Sequence, residues 1–196
     1  MTFTIGLTGS IGMGKTTTAD LFRREGCAVW DADASVHRLY SKGGAAVGPM
    51  QATFLEAVTN GEVDRAKLKE AINQDPTALK RIEAIVHPLV AEDRAAFLAA
   101  HGDEIVVLDI PLLFETGADA DMNATVVVTT DAATQRRRVL ERGTMTEVQL
   151  ETILAKQMPD AEKRAKADYI VITDTPELAA EKVRAILVKI RGTYHA

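Results

Sequence analysis

The chain has 196 residues, of which 46% are hydrophobic and 26% are charged, a composition typical of a globular domain with room for an inserted subdomain. Its net charge of -5 and its isoelectric point near 5.4 argue against a general nucleic-acid binder, which needs a basic face. The single cysteine, Cys27, excludes an intramolecular disulfide framework and a CxxC metal site. We expect no secretory signal before the first predicted strand, and no apolar run approaches the roughly 20 residues that span a membrane. We therefore expect a cytoplasmic protein with neither a nucleic-acid nor a membrane partner.

The amino-terminal segment has the pattern of a strand, a glycine-rich loop and a helix. Residues 3–7 are a short apolar run that predicts a buried strand, and residues 15–24 carry the apolar face of a helix. Between them, residues 9–16 match the P-loop pattern G-x-x-x-x-G-K-[ST]. Glycines let successive N–H groups face one anion, and the unpaired N–H groups of the helix N-terminus add positive charge. The segment therefore predicts a site for nucleotide phosphates.

Individual residues of this loop have expected roles in binding ATP and Mg²⁺. Lys15 would reach the β- and γ-phosphates, and Thr16 would place its hydroxyl on Mg²⁺. A GTPase would carry N-K-x-D after a later strand, but residues 129–132 read TTDA and lack that lysine. The expected nucleotide contacts are Gly9, Ser10, Ile11, Gly12, Met13, Gly14, Lys15, Thr16 and Thr17.

Two carboxylates follow the second predicted strand, residues 28–30. Asp31 and Asp33 lie at the carboxyl end of that strand, where parallel α/β sheets bind their ligands. Because residues 34–40 predict a helix, Asp33 is either a reactive carboxylate or the N-cap of that helix. Asp31 either orients water or Mg²⁺ or merely ends the strand.

The next segment predicts a helical insert that is longer than an ordinary crossover connection. Residues 49–100 show no convincing strand. The local signals are a turn at Asn60-Gly61, an N-cap at Asp64, a helix start at Asp75-Pro76 and a helix break at His87-Pro88, after which a further helix runs to about residue 100.

The second half alternates strands and helices. Apolar runs predict strands over 105–109, 124–128 and 169–172. The near-continuous apolarity of 105–109 suits a parallel strand that is buried on both faces. The helix signals are an N-cap at Asp131, a stop at Gly143, a capping box at Thr146 and Gln149, a stop at Met158-Pro159 and a start at Thr175-Pro176.

This order of elements predicts the fold class: an α/β protein with a five-stranded parallel sheet of the P-loop kinase type. We expect a nucleotide-binding core formed by residues 1–42 and 101–196, with a helical lid at about 136–160. Residues 43–100 would form a helical insert that binds the substrate.

Arginines cluster in the predicted lid. Arg138 and Arg142 are four residues apart and share one helix face. A lid arginine can neutralise charge on the transferred phosphoryl group and exclude water on closure, although a solvated basic face is the alternative. Arg142, next to Gly143, is the best single candidate.

Several motifs occur together in a recognisable order. They are the P-loop with its flanking Thr8 and Thr17, then Asp31-Ala-Asp33, His87-Pro88-Leu-Val90, Pro111-Leu-Leu-Phe-Glu115 and Gln157 followed by Ala167-Asp168. Over essentially its whole length the chain resembles dephospho-CoA kinase. The resemblance implies transfer of the ATP γ-phosphoryl group to the ribose 3′-hydroxyl of dephospho-CoA, the last step of coenzyme A synthesis. One departure is visible: the last strand of the family commonly ends in Asn, whereas here Thr173-Asp174 follow Ile172.

The resemblance and the residue types together suggest roles for the remaining candidates. Asp33 would accept the ribose hydroxyl proton, the role that the resemblance also implies. Asp109, at the end of an apolar strand, could hold a metal-bound water. Glu115 would contact the substrate or pair with a lid arginine. The further expected substrate contacts are Thr8, Arg65, Arg81 and His87.

Two other functions stay open at this point. One is a P-loop kinase that acts on another small hydroxyl acceptor, such as a nucleoside or shikimate. The other is a nucleotide-dependent regulatory module without turnover, against which Lys15, Thr16, Asp33 and Arg142 together argue. The oligomeric state is not predicted.

Overall fold

The computed structural model describes residues 2–102 and 104–194. The chain forms two compact units, one comprising Met1–Trp30 and His101–Ala196 and the other comprising Asp31–Ala100. Among the described residues, no helix is both long and apolar enough to cross a membrane.

A five-stranded sheet organises the chain and confirms the predicted fold class. Its strand order is β2-β5-β1-β6-β7, so the first strand is central. Strand β1 pairs parallel with β5 and with β6, and β6 pairs parallel with β7. The strands are β1 Phe3–Thr8, β2 Ala28–Asp31, β5 Ile105–Asp109, β6 Ala124–Thr129 and β7 Tyr169–Ile172, and two further short strands lie in the second unit.

The helices of the first unit follow the sheet strands along the chain. They are α1 Lys15–Arg24, α6 Ala132–Glu141, α7 Glu147–Leu154, α8 Asp160–Lys166 and α9 Pro176–Tyr194. Helices α1 and α9 contact each other, and a core cluster joins Phe22 and Ile186 from them to Ile5 and Val126 of the sheet. Each such fully buried apolar side chain stabilises the fold by about 1.5–3 kcal/mol. Burial is also the main reason that the pKa of Cys27 is raised, to about 11.

Three predicted caps of these helices are confirmed. The Asp131 side chain accepts the N–H of Thr134 at the start of α6, and Thr146 with Gln149 forms the predicted capping box of α7. Gly143 has a φ of 64° just beyond α6. Helix α8 is not in the sequence prediction, since seven residues are too few for a clear apolar period.

The second unit packs helices around its own core. They are α2 Ala32–Tyr40, α3 Val47–Thr53, α4 Arg65–Gln74 and α5 Ala78–Ala100. Leu39, Met50, Leu68 and Ile82 meet in its core cluster. The Asp64 side chain accepts the N–H groups of Ala66 and Lys67, which confirms it as the N-cap of α4.

The expectation that residues 49–100 contain no strand is wrong. Val58–Thr59 (β3) and Glu62–Val63 (β4) pair antiparallel around the predicted turn. Asn60 and Gly61 have φ values of 54° and 80°, the left-handed pair that a tight two-residue hairpin requires. Each strand has only two residues, which is too short for an alternating pattern to reveal it.

The predicted helix break at His87-Pro88 is also wrong. Helix α5 continues through Pro88 from Ala78 to Ala100, starting two residues after the predicted Pro76. A proline inside a helix costs about 3 kcal/mol. Apolar side chains on both sides of Pro88, including Val86 and Leu89, pack against the core of this unit, and this packing offsets the cost.

Gly44 provides a test of packing in the second unit. A Cβ at this position would lie 2.2 Å from the carbonyl oxygen of Leu39 and 2.5 Å from that of Arg38. Backbone carbonyl oxygens cannot move away from the added Cβ as a flexible side chain could. We therefore expect Gly44→Ala to destabilise the protein by about 2 kcal/mol or more. Thermal or denaturant unfolding measures the change.

Gly48 supplies the matched control for this substitution. It lies in α3, and an added Cβ would meet no atom within 4 Å. Alanine should therefore leave stability unchanged or raise it by about 0.5–1 kcal/mol. Equal destabilisation by both substitutions would contradict the packing argument.

Candidate active site

The glycine-rich loop has the backbone of an anion cradle. Gly12 and Gly14 have φ values of 78° and 92°, a conformation that strains other residues and that allows a backbone to turn N–H groups toward one anion. Gly14 is also the N-cap of α1 and makes no side-chain cap hydrogen bond. The first turn of α1 contains no acidic residue. The helix N-terminus is therefore electropositive and suited to phosphate.

The loop fits closely against the sheet and α6. A Cβ on Gly9 would lie 2.3 Å from a methyl carbon of Val128, and one on Gly12 would lie 2.5 Å from a methyl carbon of Val139. Both approaches leave room for hydrogen but not for a methyl group. The glycines of the motif thus serve packing as well as backbone conformation.

Lys15 is held by a buried carboxylate. Its Nζ lies 2.5 Å from Oδ1 of Asp109, whose side chain is only 2% exposed. The register pairs Leu7 with Asp109, so the carboxyl end of β5 lies beside the strand that leads into the loop. Asp109, expected as a metal ligand, is thus placed at the phosphate site and paired with its lysine.

Thr173, which directly follows β7, contacts both the glycine-rich loop and α6. Its hydroxyl donates to the carbonyl oxygen of Met13 at 2.7 Å and accepts from Nη1 of Arg138 at 3.0 Å. Arg138 Nη2 also donates to the Thr173 carbonyl oxygen at 2.6 Å. A Cβ on Gly14 would approach the Thr173 side chain at 3.0 Å. The residue after β7 therefore fixes both the end of the loop and an arginine of α6.

A cavity of about 420 Å³ lies beside the loop. Its lining includes Gly14, Thr17, Arg138, Arg142, Thr173 and Pro176. It adjoins the N-terminus of α1 and is bounded by α6 and the start of α9.

The predicted lid arginines occupy different environments. Arg142 is exposed at the C-cap of α6 and lines the cavity, whereas Arg138 is half-buried and bonded to Thr173. Arg136 contacts Glu147 and Glu151 and so ties α6 to α7. Of the two arginines that line the cavity, Arg138 is therefore bonded to Thr173 and Arg142 is the exposed one.

Glu115 contacts a lysine and the end of the predicted lid. Its Oε1 accepts the N–H of Met158 at 2.9 Å and lies 2.8 Å from Nζ of Lys163, which is fully buried. Partial burial raises the pKa of Glu115, but the Lys163 ammonium and the Met158 N–H lower that pKa by more, so it lies below the usual value. Glu115 is therefore ionised at neutral pH, with a lysine of α8 rather than a lid arginine beside it.

The two carboxylates after β2 differ in role. Asp31 is the N-cap of α2, and its side chain accepts the N–H of Ala34 at 2.9 Å. The alternative in which Asp33 caps this helix is therefore wrong, because α2 begins two residues earlier than predicted. Asp33 is exposed in the first turn of α2.

The other expected substrate contacts have identifiable surroundings. Arg65 stacks over Tyr40 with 5.4 Å to the ring centroid, and Arg81 stacks over Phe54 at 4.6 Å. His87 is exposed on α5. In the first unit, the buried Thr8 hydroxyl donates to the carbonyl oxygen of Pro111 at 3.0 Å.

Sequence reasoning assigned no role to several polar residues of this region. They are Gln135, Gln157, Lys163 and Thr173. Gln135 and Lys163 sit in helices where a polar residue normally marks the solvent side, yet both are buried. No local pattern reveals such burial, because it arises from elements distant in the chain.

Three comparisons relate the chain to known proteins. Residues 3–178 match the family model described as dephospho-CoA kinase. The dephospho-CoA kinase of Ruegeria pomeroyi is 59% identical over 197 residues, covering 100% of both chains. That of Cereibacter sphaeroides is 59% identical over 194 residues, covering 99% of this chain and 98% of the relative.

Solved structures agree at the level of the fold. A protein from Thermus thermophilus superposes with a TM-score of 0.85 at 33% identity, covering 96% of this chain and 97% of the other. A dephospho-CoA kinase from Campylobacter jejuni gives a TM-score of 0.67 at 19% identity over the same shares. At 19% identity, the similarity to the Campylobacter jejuni structure shows a shared fold and nothing more.

The Thr173 hydroxyl can be tested by an isosteric substitution. Thr173→Val removes the hydroxyl that holds the Met13 carbonyl oxygen and Arg138, at nearly constant volume. Two hydrogen bonds are lost, each worth about 1 kcal/mol, so ATP binding should weaken by up to about 30-fold. Calorimetric titration with ATP measures this change. Thr173→Ser retains the hydroxyl and should bind ATP nearly as the wild type does; equal weakening by Ser and Val would show that the hydroxyl is not responsible.

The Glu115–Lys163 pair has a predicted pH dependence. Glu115→Gln would leave a fully buried ammonium without its carboxylate, which should cost about 3 kcal/mol of stability. Because the folded pKa of Glu115 is lowered, the carboxylate's contribution is complete above its usual pKa of 4.5 and is lost as the pH falls through the folded value. Denaturant unfolding should therefore show that the difference in the free energy of unfolding between wild type and Glu115→Gln becomes smaller in acid.

A second substitution tests whether the unpaired ammonium of Lys163 causes the loss of stability. Lys163→Met added to Glu115→Gln removes the unpaired ammonium and should recover much of the lost stability. If the double variant lost as much stability as Glu115→Gln and Lys163→Met lose together, the ion-pair explanation would be wrong.

Proposed function

The chain belongs to the dephospho-CoA kinase family, and we propose that it transfers the γ-phosphoryl group of ATP to the ribose 3′-hydroxyl of dephospho-CoA, giving coenzyme A and ADP. The observation that carries this proposal is the match over residues 3–178, together with named relatives 59% identical over essentially the whole chain. The geometry of the first unit supports the nucleotide half of the reaction.

ATP would bind across the glycine-rich loop and the adjoining cavity. The N–H groups around Gly12 and Gly14 and the N-terminus of α1 would hold the phosphates. The base and ribose would occupy the cavity lined by Thr17, Thr173 and Pro176. Lys15 would exchange part of its contact with Asp109 for the β- and γ-phosphates.

The residues around Lys15 also suit Mg²⁺. Thr16 supplies a hydroxyl in the first turn of α1, and Asp109 supplies a carboxylate at the end of β5. Mg²⁺ favours such oxygen ligands in small numbers and takes its others from phosphates and water. Within the part of the chain that the structure describes, no group of three or more His, Cys, Asp or Glu could hold a metal by itself. When bound with ATP, the ion would neutralise phosphate charge.

Asp33 would accept the proton of the ribose hydroxyl as that oxygen attacks phosphorus. Its carboxylate is exposed, and the capping of α2 is performed by Asp31. Asp33 therefore retains its lone pairs for a substrate. Since phosphoryl transfer mainly needs positioning and charge neutralisation, proton acceptance is one contribution among several.

Arg142 would stabilise the charge that spreads over the transferred group. It lines the cavity next to Glu141 and precedes Gly143, whose positive φ ends the helix. A guanidinium there acts most strongly once water is excluded, as on closure of a lid. We place that lid at about residues 136–160.

The acceptor would be held largely by the second unit. We propose that residues 43–100 bind the pantetheine arm and adenosine of dephospho-CoA, with Arg65, Arg81 and His87 as contacts. The two arginines lie over aromatic rings, which fixes their cationic ends in place. Thr8 and Glu115 are proposed contacts from the core.

The substrate assay is the direct test. Purified protein with Mg-ATP should phosphorylate dephospho-CoA far better than adenosine or pantothenate, because binding energy from the remote arm helps to position the hydroxyl. Equal or better turnover of another small acceptor would reject the proposal.

Asp33→Asn tests the proposed proton acceptor in the same assay. Asparagine keeps the shape but cannot take a proton at neutral pH, so kcat should fall by about 10²-fold, the lower end for general-base catalysis, given the loose transition state. ATP affinity and thermal stability should stay near wild type. Undiminished turnover per folded molecule would exclude Asp33 as the base.

A further inference from the structure

Two glutamines hold the same residue of the glycine-rich loop. The N–H of Ile11 donates to Oε1 of Gln157 at 3.3 Å, and Nε2 of Gln135 donates to the carbonyl oxygen of Ile11 at 2.7 Å. Both backbone polar groups of Ile11 are therefore bound by side chains. Gln135 belongs to α6, whereas Gln157 follows α7. The loop is therefore hydrogen-bonded by residues at the two ends of the proposed lid.

Both glutamines are themselves fixed. Gln135 is only 6% exposed, and its helix is capped at Asp131. Gln157 is followed by Met158, whose N–H is bound by Glu115. Glu115 is in turn neutralised by the buried Lys163 of α8. The segment that presents Gln157, at the C-terminal end of the proposed lid, is therefore anchored to Glu115 of the core.

We infer that Gln135 and Gln157 are positioning residues that set the glycine-rich loop for phosphoryl transfer by clamping Ile11. The inference rests on the proposed function. Their neutral amides suit this task, since a carboxylate so near the cradle would repel phosphate. Through Ile11, the ends of the lid and the phosphate-binding loop share one fixed point.

The clamp should matter more for the reaction than for binding. Without it, the N–H groups around Gly12 and Gly14, the α1 terminus and Lys15 all remain available to ATP. The angle at which they meet the transferred group would be less well fixed. A misplacement of about 1 Å can cost about 10²-fold in rate.

The test replaces each glutamine by methionine, which has similar length but lacks the amide. Gln157→Met and Gln135→Met should each lower kcat with dephospho-CoA by about 10- to 100-fold. ATP affinity, measured by calorimetry on the same preparations, should change little, and the melting temperature should fall by only about 2–4 °C, as expected for one lost hydrogen bond. Glu181→Met, at an exposed position of α9 outside the proposed ATP and acceptor sites, is the control and should behave as wild type.

A double-mutant cycle distinguishes a shared clamp from two separate structural roles. Because both glutamines act on Ile11, the second substitution should cost much less than the first. Rate losses that multiply would overturn the clamp, as would losses explained by weaker ATP binding or by unfolding. Unchanged kcat in both single variants would also overturn it.

The wild-type control separates this inference from the proposed function. Failure of the wild type to phosphorylate dephospho-CoA would reject the function itself. A wild type that turns over dephospho-CoA beside fully active methionine variants would reject only the clamp.

Discussion

The conformation of the glycine-rich loop depends on hydrogen bonds that come from outside the loop. Left-handed glycines can form a cradle, but they can equally adopt many other conformations. Thr173 binds the carbonyl oxygen of Met13, while Gln135 and Gln157 bind Ile11. The electropositive terminus of α1 can therefore receive phosphate with little reorganisation, which is the general basis of electrostatic catalysis.

The same contacts connect the loop to the rest of the first unit. Thr173 joins the end of β7 to Arg138 of α6, and α6 carries Arg142 at its end. Asp109 at the end of β5 holds Lys15, and Glu115 further along that connection holds the segment after α7. Parallel strands bring all these residues together because their carboxyl ends meet at one edge of the sheet.

The departure at Thr173 has a structural explanation in this chain. Its hydroxyl is already bonded to Met13 and Arg138. It therefore supports the conformation of the site and is not a free group for the nucleotide base of ATP. The sequence pattern flagged this position only as unusual, because its partners are 35 and 160 residues away.

The sequence by itself determined the elements whose causes are local. The P-loop glycines, the caps at Asp64 and Asp131, the capping box at Thr146 and the apolar strands all depend on near neighbours, and each is confirmed. The order of the motifs indicated the family, and the comparisons bear that out. Local chemistry also singled out Lys15, Thr16 and Arg142, whose roles with ATP stay predictions; the structure pairs Lys15 with Asp109 and places Arg142 in the lining of the cavity.

Only the tertiary structure decided features that depend on long-range packing. Helix α5 continues through Pro88 because apolar residues on both sides join one core, against the local preference of proline. Asp31 rather than Asp33 caps α2, since the helix starts immediately after β2. The burial of Lys163 and the two glutamine contacts with Ile11 join residues far apart in the chain, and hydrophobic periodicity carries no information about such polar pairs.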